Sequence, residues 1–216
     1  MTPSTSDVWS IAWLSVQVST SAVFLAALAG IPLGTFLGLS QFRGKQLVVS
    51  LIYTGMALPP VVVGLLVYRG LSRSGPLAAL GGLFSAKAMI LAQFILAMPF
   101  VVGITMTAIS AVPQSLRLQI RSLGASRWQL HSTILKEARA GVVLAVAIAF
   151  GRSISEVGAV LMVGGNIAGH TRVLTTAVVL ETSQGHFETA LALGGVLLLI
   201  ALVVNGVILS LKGQQR

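Results

Sequence analysis

Two groups of polar residues interrupt an otherwise apolar sequence, and each suits a different kind of chemistry. The first group, Arg152, Ser153, Ser155 and Glu156, lies inside an apolar run. Arg152 and Glu156 are four residues apart, so a helix would place them on one face, and each is costly in lipid when alone. The two serines could offer hydroxyls to a passing anion, although serines in membrane helices more often bond to the backbone. These residues therefore form either a structural ion pair or part of a gate or pathway.

The second group is a charged stretch, residues 121–141, in a chain of which only 9% of residues are charged. Apolar residues at helical spacing on both sides of Gly124-Ala125-Ser126 predict two short helices with a glycine corner between them. Ser126 and Gln129 have the spacing of a capping box, which marks the start of the second helix. The polar faces are basic. The stretch is therefore either an amphipathic loop held at anionic lipid headgroups or a docking element for a soluble partner.

The sequence offers little for enzymatic chemistry of its own. It has no cysteine, and His131, His170 and His186 are far apart on the predicted topology, which argues against a metal site. A phosphate loop of the form Gly-x-x-x-x-Gly-Lys-Ser/Thr is absent from the sequence, so we expect no ATP hydrolysis by that route. We expect no catalytic residues, no metal and no intrinsic cofactor.

The composition indicates a membrane protein. Hydrophobic residues make up 55% of the 216 residues, and the mean hydropathy is +0.93. The net charge of +9 arises from basic residues scattered between apolar runs, so no nucleic acid partner is expected. Because no positive residue precedes Arg43, the first apolar segment is expected to be retained rather than cleaved. We predict an all-α polytopic membrane protein with a single transmembrane domain, residues 1–216.

Five runs are long enough to cross a bilayer, which requires about 20 apolar residues. They cover residues 11–39, 46–68, 88–116, 140–166 and 189–211, and the second run is interrupted by Pro59 and Pro60. A shorter apolar segment, residues 173–180, is predicted to form a short or re-entrant helix on the outer side. Gly30, Gly34 and Gly38 recur at every fourth residue and favour tight packing within the chain, with a dimer face as the alternative.

The distribution of Lys and Arg predicts the orientation. With five spans and the N-terminus outside, the inner side would carry nine basic residues: Arg43, Lys45, Arg117, Arg121, Arg127, Lys136, Arg139, Lys212 and Arg216. The outer side would carry four: Arg69, Arg73, Lys87 and Arg172. Because positive residues concentrate on the cytoplasmic side, we predict an N-out, C-in topology with residues 121–141 in the cytoplasm.

The stretch "RSLGASRWQLHSTILKEARAG" resembles the cytoplasmic EAA loop of ABC-importer permeases, whose short helices dock on the ATP-hydrolysing subunit. The resemblance assigns a coupling role to residues 113–139. Within that segment it assigns the contact with the ATPase to Ser122, Leu123, Gly124, Ala125, Ser126, Arg127 and Trp128. Where the family often has Glu-Ala-Ala, this chain has Leu118-Gln119-Ile120.

Residues 151–185 resemble the permeases of oxyanion importers. The pattern Glu156-Val157-Gly158-Ala159 followed by Gly164-Gly165-Asn166 is most similar to tungstate-type permeases. The resemblance implies a type I ABC-importer permease fold and an oxyanion cargo, tungstate first, with molybdate or sulfate as alternatives. It also implies a bacterial or archaeal cytoplasmic membrane.

The implied partners are a second copy of the chain in a homodimer, two ABC ATPase subunits that bind ATP and Mg, a periplasmic or extracellular oxyanion-binding protein, and membrane lipid. Two other classes stay open. An ion-coupled secondary transporter would be larger, often with an inverted repeat, and a non-transporting assembly factor is compatible with composition alone.

Overall fold

The computed structural model describes residues 5–80 and 82–213, and the regular elements within these ranges are helical, as predicted. The first five helices are α1 (Thr5–Leu39), α2 (Lys45–Met56), α3 (Pro60–Leu71), α4 (Ala86–Ser110) and α5 (Gln114–Ser122). They are followed by α6 (Arg127–Glu137), α7 (Arg139–Ile154), α8 (Gly158–Gly164), α9 (Leu174–Ser183) and α10 (Phe187–Gly213). A short 3-10 turn, Ala78–Leu80, lies between α3 and α4.

The long helix α1 packs along α4 through the glycines that recur at every fourth residue. A Cβ atom at Gly34 would lie 2.6 Å from the carbonyl oxygen of Val102, and one at Gly38 would lie 2.7 Å from Ile109. Gly30 makes a similar approach to α4. Small residues allow two helix backbones to come this close. The prediction that the glycines serve packing within the chain is confirmed.

The second predicted span is divided into α2 and α3, whose axes differ by 97°. Pro60 is the first residue of α3, a position at which the missing N–H costs nothing, and Pro59 precedes it in an extended conformation. Each helix has 12 residues and is therefore about 18 Å long, which is less than the ~30 Å thickness of the hydrocarbon core. The break predicted from the prolines is confirmed, and neither half could cross the membrane alone.

The fourth predicted span is also divided, with an angle of 58° between α7 and α8. Because α7 ends at Ile154 and α8 begins at Gly158, the prediction of one helix carrying both Arg152 and Glu156 is wrong. The helix α8 packs closely on α3, since a Cβ atom at Gly64 would lie 2.8 Å from the Cα of Ala159. The two broken segments thus pack against each other.

The third predicted span ends earlier than expected. The helix α4 stops at Ser110, and Pro113 precedes the new helix α5, so Leu116 lies outside the span. The short apolar segment predicted after the fourth span is α9, whose Leu174 packs on Ile11 of α1.

Among the described residues, three helices are long and apolar enough to cross a membrane, α1, α4 and α10, and the number reaches five if each bent pair counts as one span. The last helix, α10, lies at the outside of the chain. Its Leu198 and Leu202 are each 72% exposed. Such an apolar face suits lipid or another membrane-embedded surface.

Candidate functional site

Two short helices, α5 and α6, and the corner between them form an elbow, residues 113–139. At the end of α5, Gly124 has a φ of +79°, and its N–H donates to the carbonyl of Arg121 at 3.0 Å. The N–H of Ala125 donates to the carbonyl of Ile120 at 3.4 Å. These two bonds form a Schellman motif, which closes the helix and favours glycine at the left-handed position. The glycine corner predicted from the sequence is confirmed.

The second helix begins with the predicted capping box. The Ser126 hydroxyl accepts from the N–H of Gln129 at 3.3 Å, and the Gln129 side chain accepts from the N–H of Ser126 at 2.8 Å. Each bond satisfies a backbone donor that the first turn of α6 leaves without a helical partner. Both sides of the corner are therefore fixed by local hydrogen bonds.

The elbow has one exposed side and one buried side. Leu123 is 86% exposed and Trp128 is 80% exposed, which is unusual for apolar side chains of this size. On the other side, Leu130 and Ile134 are buried and pack with Ile109 at the end of α4. The elbow therefore presents an apolar surface outward while it is anchored rigidly to a long helix.

The seven residues predicted to contact an ATPase lie together at this corner. Ala125 is half-buried, and the other six, Ser122, Leu123, Gly124, Ser126, Arg127 and Trp128, are exposed. They form one largely exposed surface, and the coupling role stays a prediction.

The second predicted site lies at the break between α7 and α8. Glu156 is only 4% exposed, and its Oε1 accepts from the N–H of Ala159 at 3.0 Å. The Glu156 carboxylate thus caps the first turn of α8. Its backbone carbonyl accepts from the Thr175 hydroxyl of α9 at 2.9 Å. The carboxylate and the carbonyl of one residue therefore tie the break to two helices.

Arg152 lies beside this carboxylate. The distance from its Nη1 to Oε2 of Glu156 is 3.8 Å, and the Arg152 side chain is 39% exposed. The exposed Ser155 donates its hydroxyl to the backbone carbonyl of Gly151 at 2.9 Å, as expected for a serine in a membrane helix. The structure brings Arg152 and Glu156 together although the helix is broken between them, and whether they line a pathway stays a prediction.

A further polar residue at the break, Gln93 of α4, was missed by the sequence reasoning. Its Nε2 donates to the carbonyl of Ser153 at 3.0 Å, and both residues are buried. Within the described part of the chain, the Ser153 hydroxyl and the Oε1 of Gln93 have no hydrogen-bond partner. The only signal in the sequence is a single amide side chain inside a long apolar run.

The loop after α8 has the helix ending expected from Gly164, Gly165 and Asn166. Gly165 has a φ of +71° and Asn166 a φ of +51°, both in the left-handed region. The Nε of Arg172 donates to Oδ1 of Asn166 at 3.2 Å, so this arginine also holds the loop. Across residues 5–80 and 82–213, no group of three His, Cys, Asp or Glu side chains is arranged to hold a metal ion.

Comparison with known proteins identifies the family to which the chain is related. Residues 30–212 match the family described as binding-protein-dependent transport system inner membrane component. The chain is 47% identical to a probable anion ABC transporter permease protein of Haloferax volcanii, over 91% of this chain and 87% of that protein. It is 44% identical to the tungstate uptake system permease protein TupB of Peptoclostridium acidaminophilum, over 96% of this chain and 91% of that protein.

The fold is that of solved ABC transporters. A chain of an inward-facing structure of the MetNI methionine ABC transporter superposes with a TM-score of 0.74 at 19% identity, over 97% of this chain and 99% of that chain. This likeness confirms the predicted type I ABC-importer permease fold. The chain belongs to the binding-protein-dependent transport system inner membrane component family, and the predicted resemblance to the oxyanion permeases, tungstate-type first, is confirmed.

Proposed function

We propose that this chain is the membrane-spanning permease subunit of an ATP-driven ABC importer for an oxyanion, with tungstate as the first candidate cargo. The observation that carries the proposal is the 44% identity to a tungstate uptake permease over 96% of the chain. Molybdate and sulfate are the alternative cargoes. Identifying the oxyanion that the partner binding protein holds, by elemental analysis of the purified protein, would distinguish them.

We place the chain in the cytoplasmic membrane of a bacterium or archaeon, with the N-terminus outside and the elbow inside. The support is the excess of basic residues on the elbow side of the predicted spans. In this orientation the exposed Leu123 and Trp128 face the cytoplasm, where an ATPase subunit would meet them.

ATP hydrolysis belongs to two separate ATPase subunits, which bind ATP and Mg. The elbow transmits their movement because α6 is packed on α4 through Leu130, Ile134 and Ile109. A close-packed interior has low compressibility and transmits displacement. When an ATPase displaces the corner, the end of α4 is expected to move with it.

A second copy of the chain completes the pathway, and an exported binding protein delivers the anion. The argument for a second copy comes from Arg152, whose side chain is 39% exposed in a segment proposed to lie within the membrane. In a single chain this guanidinium would face lipid, which is costly. A polar pathway between two copies removes that cost, with Arg152 and Ser155 at its surface and Glu156 and Ser153 behind them.

The docking role is tested by Gly124→Asp, with Gly185→Asp as the matched control. Both glycines have a left-handed φ, +79° and +80°, and a Cβ atom at either would meet nothing within 4 Å. The backbone cost is therefore similar, but Gly185 follows α9, in the segment predicted to lie on the outer side of the membrane, away from the elbow. We expect only the substitution at Gly124 to abolish co-purification with the ATPase and tungstate uptake by proteoliposomes, since it places a charge in the apolar contact. Wild-type co-purification and uptake with Gly124→Asp would refute the docking role.

A further inference from the structure

A cavity of about 750 Å³ lies between the ends of α1 and α4 and the elbow. Its basic lining comes from the elbow alone: Arg117 and Arg121 on α5, and Arg127 and His131 on α6. Within each pair the residues are four apart, so each helix directs two basic side chains along one face. The basic faces of α5 and α6 therefore line the same cavity.

The cavity has no internal counterion. None of its thirteen lining residues is acidic, and Glu137, the one acidic residue of the elbow, does not line it. Arg117 and Arg121 are like charges four residues apart on one helix, and such charges repel each other. Arg127 is also the first residue of α6, where the helix dipole is positive and favours an anion rather than a cation. An anion bound in the cavity would offset both the repulsion between the arginines and the unfavourable position of Arg127 at the start of α6.

The hydrogen-bond donors in the cavity are partly fixed and partly free. Arg117 donates from Nη2 to the carbonyl of Ile109 at 2.6 Å, whereas its Nε is buried without a partner among the described residues. Arg121 and Arg127 are exposed. Among the described residues, neither guanidinium group makes a hydrogen bond or an ion pair. Planar guanidinium groups bind the oxygens of phosphate-like anions in pairs.

This cavity shares Arg127 with the predicted ATPase contact but not the exposed apolar part of that surface. Leu123 and Trp128, the exposed apolar side chains of the corner, are not among its lining residues. Ser40 and Gln41, from the connection between α1 and α2, do line it. The cavity therefore faces the ends of the membrane helices.

We propose that the cavity is a binding site for a tetrahedral oxyanion, supplied either by the phosphate of an anionic lipid headgroup or as a free ion. Its volume is larger than a single ion requires and leaves room for a headgroup. The site does not depend on the proposed transport function, because the residues that form it belong to one chain and need no ATPase.

The test uses the full purified chain. In one arm, the chain is placed in phosphatidylcholine nanodiscs, and tungstate binding is measured by equilibrium dialysis with elemental analysis. In the other, the chain is purified in detergent with phosphatidylglycerol added, and native mass spectrometry measures the lipid retained. The variants are Arg121→Gln with Arg127→Gln, the charge-preserving pair Arg121→Lys with Arg127→Lys, and the exposed control Arg73→Gln, which lies outside the cavity.

We expect the double glutamine variant to lose about a hundredfold in affinity, because each charge-assisted contact accounts for about tenfold or more. The lysine pair keeps the charges but loses the paired donors, so it should bind more weakly than wild type and more tightly than the glutamine pair. Arg73→Gln should bind as wild type does. A loss confined to the tungstate arm identifies a free oxyanion, and a loss confined to the lipid arm identifies a headgroup. The proposal is overturned if the wild-type chain binds neither probe, or if the double glutamine variant binds both as tightly as wild type.

Discussion

Replacing Glu156 separates the two roles of this residue, because Gln keeps an acceptor at the break and Ala does not. In the wild-type chain Oε1 accepts from the N–H of Ala159, and Oε2 lies 3.8 Å from Arg152. Glutamine preserves an oxygen for Ala159 and removes only the charge. Alanine removes both contacts and leaves the N–H of Ala159 buried without a partner.

The hydrogen bond from Ala159 to Glu156 contributes more to the free energy of unfolding than the ion pair between Glu156 and Arg152. At 3.8 Å from a side chain that is 39% exposed, the ion pair contributes about 1 kcal/mol or less. A buried donor left without its partner costs about 1–3 kcal/mol, and the loss of a helix cap costs about 0.5–2 kcal/mol. We therefore expect Glu156→Ala to be less stable than Glu156→Gln by about 2 kcal/mol.

The assay is the fraction of each variant that stays monodisperse in detergent after heating, measured by size-exclusion chromatography. The nearby Thr175→Val calibrates it, since it removes one hydrogen bond to the Glu156 carbonyl and should cost about 1 kcal/mol. Tungstate uptake is measured on the same preparations after reconstitution with the ATPase and binding protein.

Two results would contradict this reasoning. If Glu156→Gln loses as much thermal stability as Glu156→Ala, then the charge, and not the cap, holds the break. If Glu156→Gln is as stable as wild type but transports nothing, the carboxylate charge acts in the pathway, and the structural role is not its main one.

Two further predictions concern packing and capping. Gly34→Ala should lower the stability by about 1–3 kcal/mol, because the new methyl group would overlap α4. The control is Gly194→Ala, whose methyl group would meet nothing within 4 Å, so this variant should be neutral or mildly stabilising. Both are measured by the same heating assay. Equal stability of the two variants would contradict the packing argument. Ser126→Ala should cost about 1 kcal/mol and speed amide hydrogen exchange in the first turn of α6, whereas Ser132→Ala, within α6, should leave that exchange unchanged. Unaltered exchange in Ser126→Ala would show that packing on α4, and not the cap, holds the turn.

The elbow could be predicted from the sequence because its hydrogen bonds join residues a few positions apart. The Schellman motif at Gly124 and the capping box at Ser126 each close within five residues. Their geometry depends on local chemistry, and tertiary contacts are needed only to direct the corner outward. The apolar runs, the prolines at the break between α2 and α3 and the glycine spacing could be predicted for the same reason, since each is a property of one segment.

The arrangement at the second break was decided by the tertiary structure. The residues from Arg152 to Glu156 fit a continuous helix by their spacing, and nothing local forbids one. The break is instead satisfied by distant partners: Gln93, 60 residues before Ser153, and Thr175, 19 residues after Glu156. The basic cavity likewise forms only when two short helices fold back on the ends of α1 and α4. Sequence determined which groups are polar and where helices can start and stop, whereas the partners of buried polar groups depend on helices that meet only in the folded chain.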